Sequence, residues 1–92
     1  MKLLLAEDDA MLGTSMEKAL TQAGFTVDWV RNGQHALNAL QEQTYDVVLL
    51  DIGLPEIDGL QVLQHMRQRR QATPVLMVTA RDAIRDRVAG LN

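Results

Sequence analysis

The chain has 92 residues, enough for one compact domain with one core but too few for a second. Apolar residues make up 47%, aromatics 3% and charged residues 23%, which argues against disorder and predicts a core of Leu, Val, Ile, Ala and Met. A net charge of −3 with both signs interspersed leaves no concentrated cationic surface for a nucleic-acid backbone, and the absence of cysteine removes disulfides, thiolate nucleophiles and zinc–thiolate sites.

No run approaches the roughly 18 apolar residues of a membrane span, and Met1-Lys2 leads into an apolar stretch without a cleavage signature, so a soluble, cytoplasmic domain is expected. Leu3-Leu4-Leu5-Ala6, halted by Glu7-Asp8-Asp9, reads as a first strand buried on both faces of a parallel sheet. Leu12, Met16, Leu20 and Ala23 recur at helical spacing from Ala10 until Gly24, where a helix C-terminus is expected. Phe25 to Val30 is rich in β-formers, and Ala36, Leu37 and Leu40 mark a second helix after Arg31-Asn32-Gly33. Asp46 to Asp51 repeats the first strand's pattern, an aliphatic run ending on a carboxylate. Gly53, Pro55 and Gly59 punctuate a loop, Val62, Leu63 and Met66 mark a third helix, Pro74 to Thr79 a fourth strand, and 81–91 a last helix. The alternation predicts an α/β fold with a parallel sheet.

In such sheets ligands bind beyond the carboxyl ends of the strands, where Glu7, Asp8, Asp51 and Thr79 fall. Two like charges about 4 Å apart repel by roughly 4 kcal/mol at an effective dielectric near 20, so a cluster of Glu7, Asp8 and Asp51 needs a counter-charge or raised pKa values. A divalent cation meets that need. An all-oxygen donor set favours a hard ion, and Mg²⁺ tolerates two carboxylates completed by water and an incoming phosphate. Asp9 reads more simply as a helix N-cap. His35 and His65 read as surface or packing residues, Trp29 as structural, and Met16 and Met66 as core filling.

Glu7-Asp8-Asp9, Leu49-Leu50-Asp51-Ile52-Gly53-Leu54-Pro55, Asp58-Gly59 and Val78-Thr79-Ala80-Arg81 together resemble the receiver domains of bacterial response regulators. The resemblance runs the length of the chain, with features of the OmpR-type branch and most similarity to QseB/PmrA-like two-component regulators. It implies a CheY-like doubly wound sheet of strand order 2-1-3-4, residues 1–92 forming a receiver domain without its fifth strand and fifth helix. It further implies that Asp51 accepts a phosphoryl group from a histidine kinase. Asp8 and Asp51 would bind Mg²⁺ directly, Gly53 through its backbone carbonyl and Glu7 through water, while Thr79 would hydrogen-bond the phosphoryl group as the switch residue. Helix one would help dock the kinase through Met11, Thr14, Ser15 and Lys18, opposite a buried face of Leu12, Met16 and Leu20.

The family pattern continues into a strand bearing an essential Lys, whereas this sequence stops at Asn92. Arg81, Arg85 and Arg87 have no equivalent role in the family. A fourth strand left at the sheet edge implies a marginally folded chain or a homodimer, and DNA would be reached only through a C-terminal domain absent here. Two other functions compete with the phosphorylation switch. A Mg²⁺-dependent phosphatase of the haloacid-dehalogenase type needs a second Asp where Gly53 stands. A pseudo-receiver would keep the fold as a scaffold without phosphorylation.

Overall fold

A computed structural model describes residues 1–78, over which strand and helix alternate. The elements are β1 (Lys2–Ala6), α1 (Ala10–Gln22), β2 (Thr26–Val30), α2 (Gly33–Glu42), β3 (Val47–Asp51), α3 (Gly59–Gln68) and β4 (Val75–Val78). Thr79, Arg81, Arg85, Arg87 and the helix expected over 81–91 lie outside the described residues.

Each helix starts where the sequence offers an oxygen to its unsatisfied N–H groups. Asp9 accepts from Leu12 N at 2.8 Å, confirming the cap, and Asn32 accepts from His35 N at 2.8 Å. Asp58 and Gln61 bond reciprocally as a capping box at α3. Gly24 ends α1 at φ 100°, a left-handed conformation for which glycine is suited, as its position predicted.

The four strands are parallel in the order β2-β1-β3-β4, the order that the resemblance implies. Successive side chains alternate between the two faces, and the faces are covered unequally. On one side Leu4, Ala6, Val48 and Leu50 meet Ala36 and Leu40 of α2 and Val62 and Met66 of α3, all buried, and this is the main core. On the other side α1 packs on β2, its Gly13 so close to Trp29 that an added Cβ would meet the indole ring at 2.1 Å.

The register aligns Trp29 with Leu5, Leu5 with Leu49 and Leu49 with Leu76, a row across that second face. Burial decays along it: Leu5 is 1% exposed, Leu49 is half-buried and Leu76 is 62% exposed. Strands about 4.8 Å apart make four of them wider than one helix of about 10 Å can cover, so α1 shields only the β2–β1 side. With no second described helix packed beside α1 on that face, Leu12, Met16 and Leu20 are half-buried, less enclosed than the amphipathic pattern predicts, while Met11, Thr14, Ser15 and Lys18 are exposed as expected.

At the amino edge of the sheet, the buried Tyr45 donates its hydroxyl to Asp28 Oδ2 at 2.7 Å, and Lys2 N donates to Asp46 Oδ2 at 2.7 Å. Burial, reinforced by the Asp28 carboxylate, pushes the Tyr45 phenol well above its ordinary pKa. That edge is thus tied shut by side chains. Among the described residues no helix is long and apolar enough to cross a membrane.

Candidate functional site

Parallel pairing brings the carboxyl ends of β1 and β3 side by side. Ala6 is opposite Leu50, so the next residues, Glu7 and Asp51, reach the sheet edge together. Glu7 keeps its place beside β2 by donating its N–H to the Val30 carbonyl at 3.0 Å, and Asp8 turns out to solvent before Asp9 caps α1. One carboxylate oxygen from each of Glu7, Asp8 and Asp51 lies within 4.8 Å of the others.

Glu7 and Asp51 are 2% and 1% exposed, the only buried charged or polar residues among those described. Glu7 Oε1 accepts the Asp9 N–H at 3.2 Å, whereas Glu7 Oε2 is buried without a hydrogen-bond partner. Asp51 Oδ1 accepts the Gly53 N–H at 3.2 Å. Burial, and then the facing Asp51 carboxylate, raise the Glu7 pKa from 4.5 to about 7. Burial also raises Asp51 above the usual carboxylate range, against the opposing pull of the Gly53 N–H. Both shifts run in the direction expected of buried, crowded acids without a counter-ion.

The donor set suits a hard divalent cation: three carboxylates within reach of one ion, all oxygen, one of them with an unpartnered buried atom. Of the five residues singled out from sequence, Glu7, Asp8 and Asp51 meet at one place, Gly53 adjoins them through its N–H rather than its carbonyl, and Thr79 lies outside the described residues. Two contributors were missed. The indole Nε1 of Trp29 donates to the Glu7 carbonyl at 2.9 Å, and Arg31 donates to the Asp8 carbonyl at 2.9 Å. Neither carries a signal in sequence beyond its place at the end of an apolar run.

Compared with known protein families, residues 3–92 match the response regulator receiver domain. The chain belongs to that family. The receiver is 47% identical over 91 residues to transcriptional regulatory protein QseB of Haemophilus influenzae and 49% identical over 92 residues to response regulator protein PmrA of Pseudomonas aeruginosa. These matches cover 99% and 100% of the chain, and bear out the expected likeness to QseB/PmrA-like regulators. It is also 51% identical over 92 residues to transcriptional regulatory protein TctD of Salmonella typhimurium. The receiver spans about two-fifths of the length of these relatives, 41%, 42% and 41%.

Among solved structures, the receiver domain of Francisella response regulator 1452 superimposes with a TM-score of 0.84 at 28% identity, covering 98% of this chain and 74% of that one. Thermotoga maritima TrrA, solved in complex with Mg²⁺-BeF, gives 0.82 at 27% identity, covering 98% of this chain and 78% of that one. The fold is thus CheY-like, and the chain is the receiver domain of a two-component response regulator.

Proposed function

We infer that Asp51 is the phosphoacceptor, taking a phosphoryl group from the phosphohistidine of a sensor histidine kinase. The observation that carries this is the buried Asp51 carboxylate beside Glu7, whose Oε2 has no partner of its own. An Asp51 oxygen bonds to phosphorus as the P–N bond breaks, and the departing imidazole takes up a proton, leaving an acyl phosphate on Asp51. Asp8 and Asp51 would hold Mg²⁺ directly, with the Gly53 carbonyl and, through water, Glu7; the ion when bound would supply charge that screens the approach of a phosphoryl anion to the carboxylate. Thr79 completes the reading by hydrogen-bonding a phosphoryl oxygen and biasing a two-state surface.

In this reading the protein is a cytoplasmic switch and not a turnover enzyme: Gly53 stands where a phosphatase of the haloacid-dehalogenase type carries its general acid. Residues 1–92 act as the receiver of an OmpR-type transcription regulator, and DNA is contacted by a different domain of the whole protein. Incubation of the whole protein with acetyl phosphate and Mg²⁺ is expected to add one phosphoryl group at Asp51, detected by intact mass and lost on hydroxylamine treatment. Asp51→Asn should abolish it. Labelling that persists in Asp51→Asn overturns the assignment, and an unlabelled parent that still binds Mg²⁺ favours the pseudo-receiver.

A further inference from the structure

The acidic turn between β1 and α1 is held from β2 by two side chains. The parallel ladder between these strands ends at Ala6 and Val30, and the Glu7 N–H makes one further bond to Val30. Beyond that point β2 offers no backbone donor to the carbonyls of Glu7 and Asp8. Trp29 Nε1–H takes the first and the Arg31 guanidinium the second, both at 2.9 Å. The two donors also support each other, since the guanidinium carbon of Arg31 sits 5.7 Å from the Trp29 ring centroid. Trp29 is immobilised in turn against Gly13 of α1, where no Cβ would fit.

We propose that Arg31 and Trp29 are positioning residues for the acidic pocket, holding the Glu7 and Asp8 carbonyls so that both carboxylates face a divalent cation alongside Asp51. The proposal rests on the Mg²⁺ reading above. A carboxylate is aimed by its backbone, and while the Glu7 and Asp9 N–H groups are bonded to Val30 and to the Glu7 side chain, the Glu7 and Asp8 carbonyls are held from β2 by these two side chains. The planar fork of Arg31 suits this task because it is ordered by stacking before it bonds. Its charge works the other way. A cation beside the pocket repels Mg²⁺, so positioning and simple electrostatics predict opposite signs when Arg31 is removed.

The test is calorimetric titration of the 92-residue chain with MgCl₂, paired with the indole N–H NMR signal of Trp29, the chain's single tryptophan. In the parent, Mg²⁺ should produce heat and shift that signal. Arg31→Ala should weaken Mg²⁺ binding about 10-fold, the low end for residues supporting a metal ligand, and blunt the shift. Arg31→Lys, which keeps a donor and the charge but not the stacked planar group, should recover only part of the affinity, and Trp29→Phe should weaken binding in the same direction as Arg31→Ala. Thermal melts without metal separate a structural role, which lowers the melting temperature and leaves affinity unchanged. Unchanged or tighter Mg²⁺ binding by Arg31→Ala overturns the proposal. A parent that shows neither heat nor shift overturns the metal reading beneath it, and this inference with it.

Discussion

Between about pH 4.5 and pH 7.5 the metal-free protein should lose on the order of 3 kcal/mol of folding stability, and millimolar Mg²⁺ should return most of it. The sign follows from Glu7. Its pKa is 4.5 in the ordinary state and about 7 in the folded one, so between these values the folded protein holds more protons than the unfolded chain. The contribution of Glu7 is therefore fully present below pH 4.5 and is lost as the pH rises through 7. Asp51 is raised in the same sense and steepens the loss. Glu7 is almost fully enclosed, so solvent screens little of this effect. Mg²⁺ displaces the protons, and a ligand at about 10 to 100 times its dissociation constant adds roughly 1.4 to 2.7 kcal/mol. Urea unfolding in EDTA and in Mg²⁺ at both pH values measures each effect. Glu7→Gln should flatten the pH dependence in EDTA; an unchanged slope in that variant would rule out the buried Glu7 as its source.

The sequence made the strands and the acidic edge legible because both are local signals. Three short aliphatic runs and one stretch rich in other β-formers are strands at the places expected, and two end at the carboxylates that meet in space. Asp9 and Gly24 were readable for the same reason, since capping chemistry is settled within a few residues. What depends on register was not readable. Trp29 reads as a packing residue until the alignment of Leu5 with Trp29 brings its indole within reach of the Glu7 carbonyl, just beyond the end of β1. Arg31 reads only as the polar end of a strand. The pairing of Tyr45 with Asp28 across 17 positions likewise needs the fold before it can be seen. Helix α1 shows the limit of periodicity: the pattern of Leu12, Met16 and Leu20 identifies a face, but how far it is buried depends on how many helices share that side of the sheet.

Gly33→Ala should destabilise the protein by about 1 to 3 kcal/mol, and Gly33→Val by more, although helix propensity alone favours Ala over Gly by about 1 kcal/mol. Gly33 is the first residue of α2, and its N–H donates to the Pro55 carbonyl at 3.2 Å. An added Cβ would lie 1.7 Å from the Ile57 carbonyl oxygen and 2.5 Å from its carbon, backbone atoms that no rotamer change can move. The start of α2 thus rests directly on the loop after β3, the segment that carries Gly53. Gly59 presses on the same segment from α3, with an added Cβ 2.3 Å from the Asp51 carbonyl oxygen. Relief at Gly59 requires moving the backbone of Asp51, and relief at Gly33 requires moving that of Ile57 in the loop that follows it. Gly53→Ala is the control: its nearest neighbour would be Asp51 Oδ1 at 4.0 Å, and the change should stay within about 0.5 kcal/mol, as open positions do. Losses of this size at Gly33 are a substantial part of the roughly 5 to 15 kcal/mol that holds a domain folded, so urea midpoints should separate the variants clearly. If Gly33→Ala instead matches Gly53→Ala or gains stability, the helix does not bear on the loop as the contact distances require.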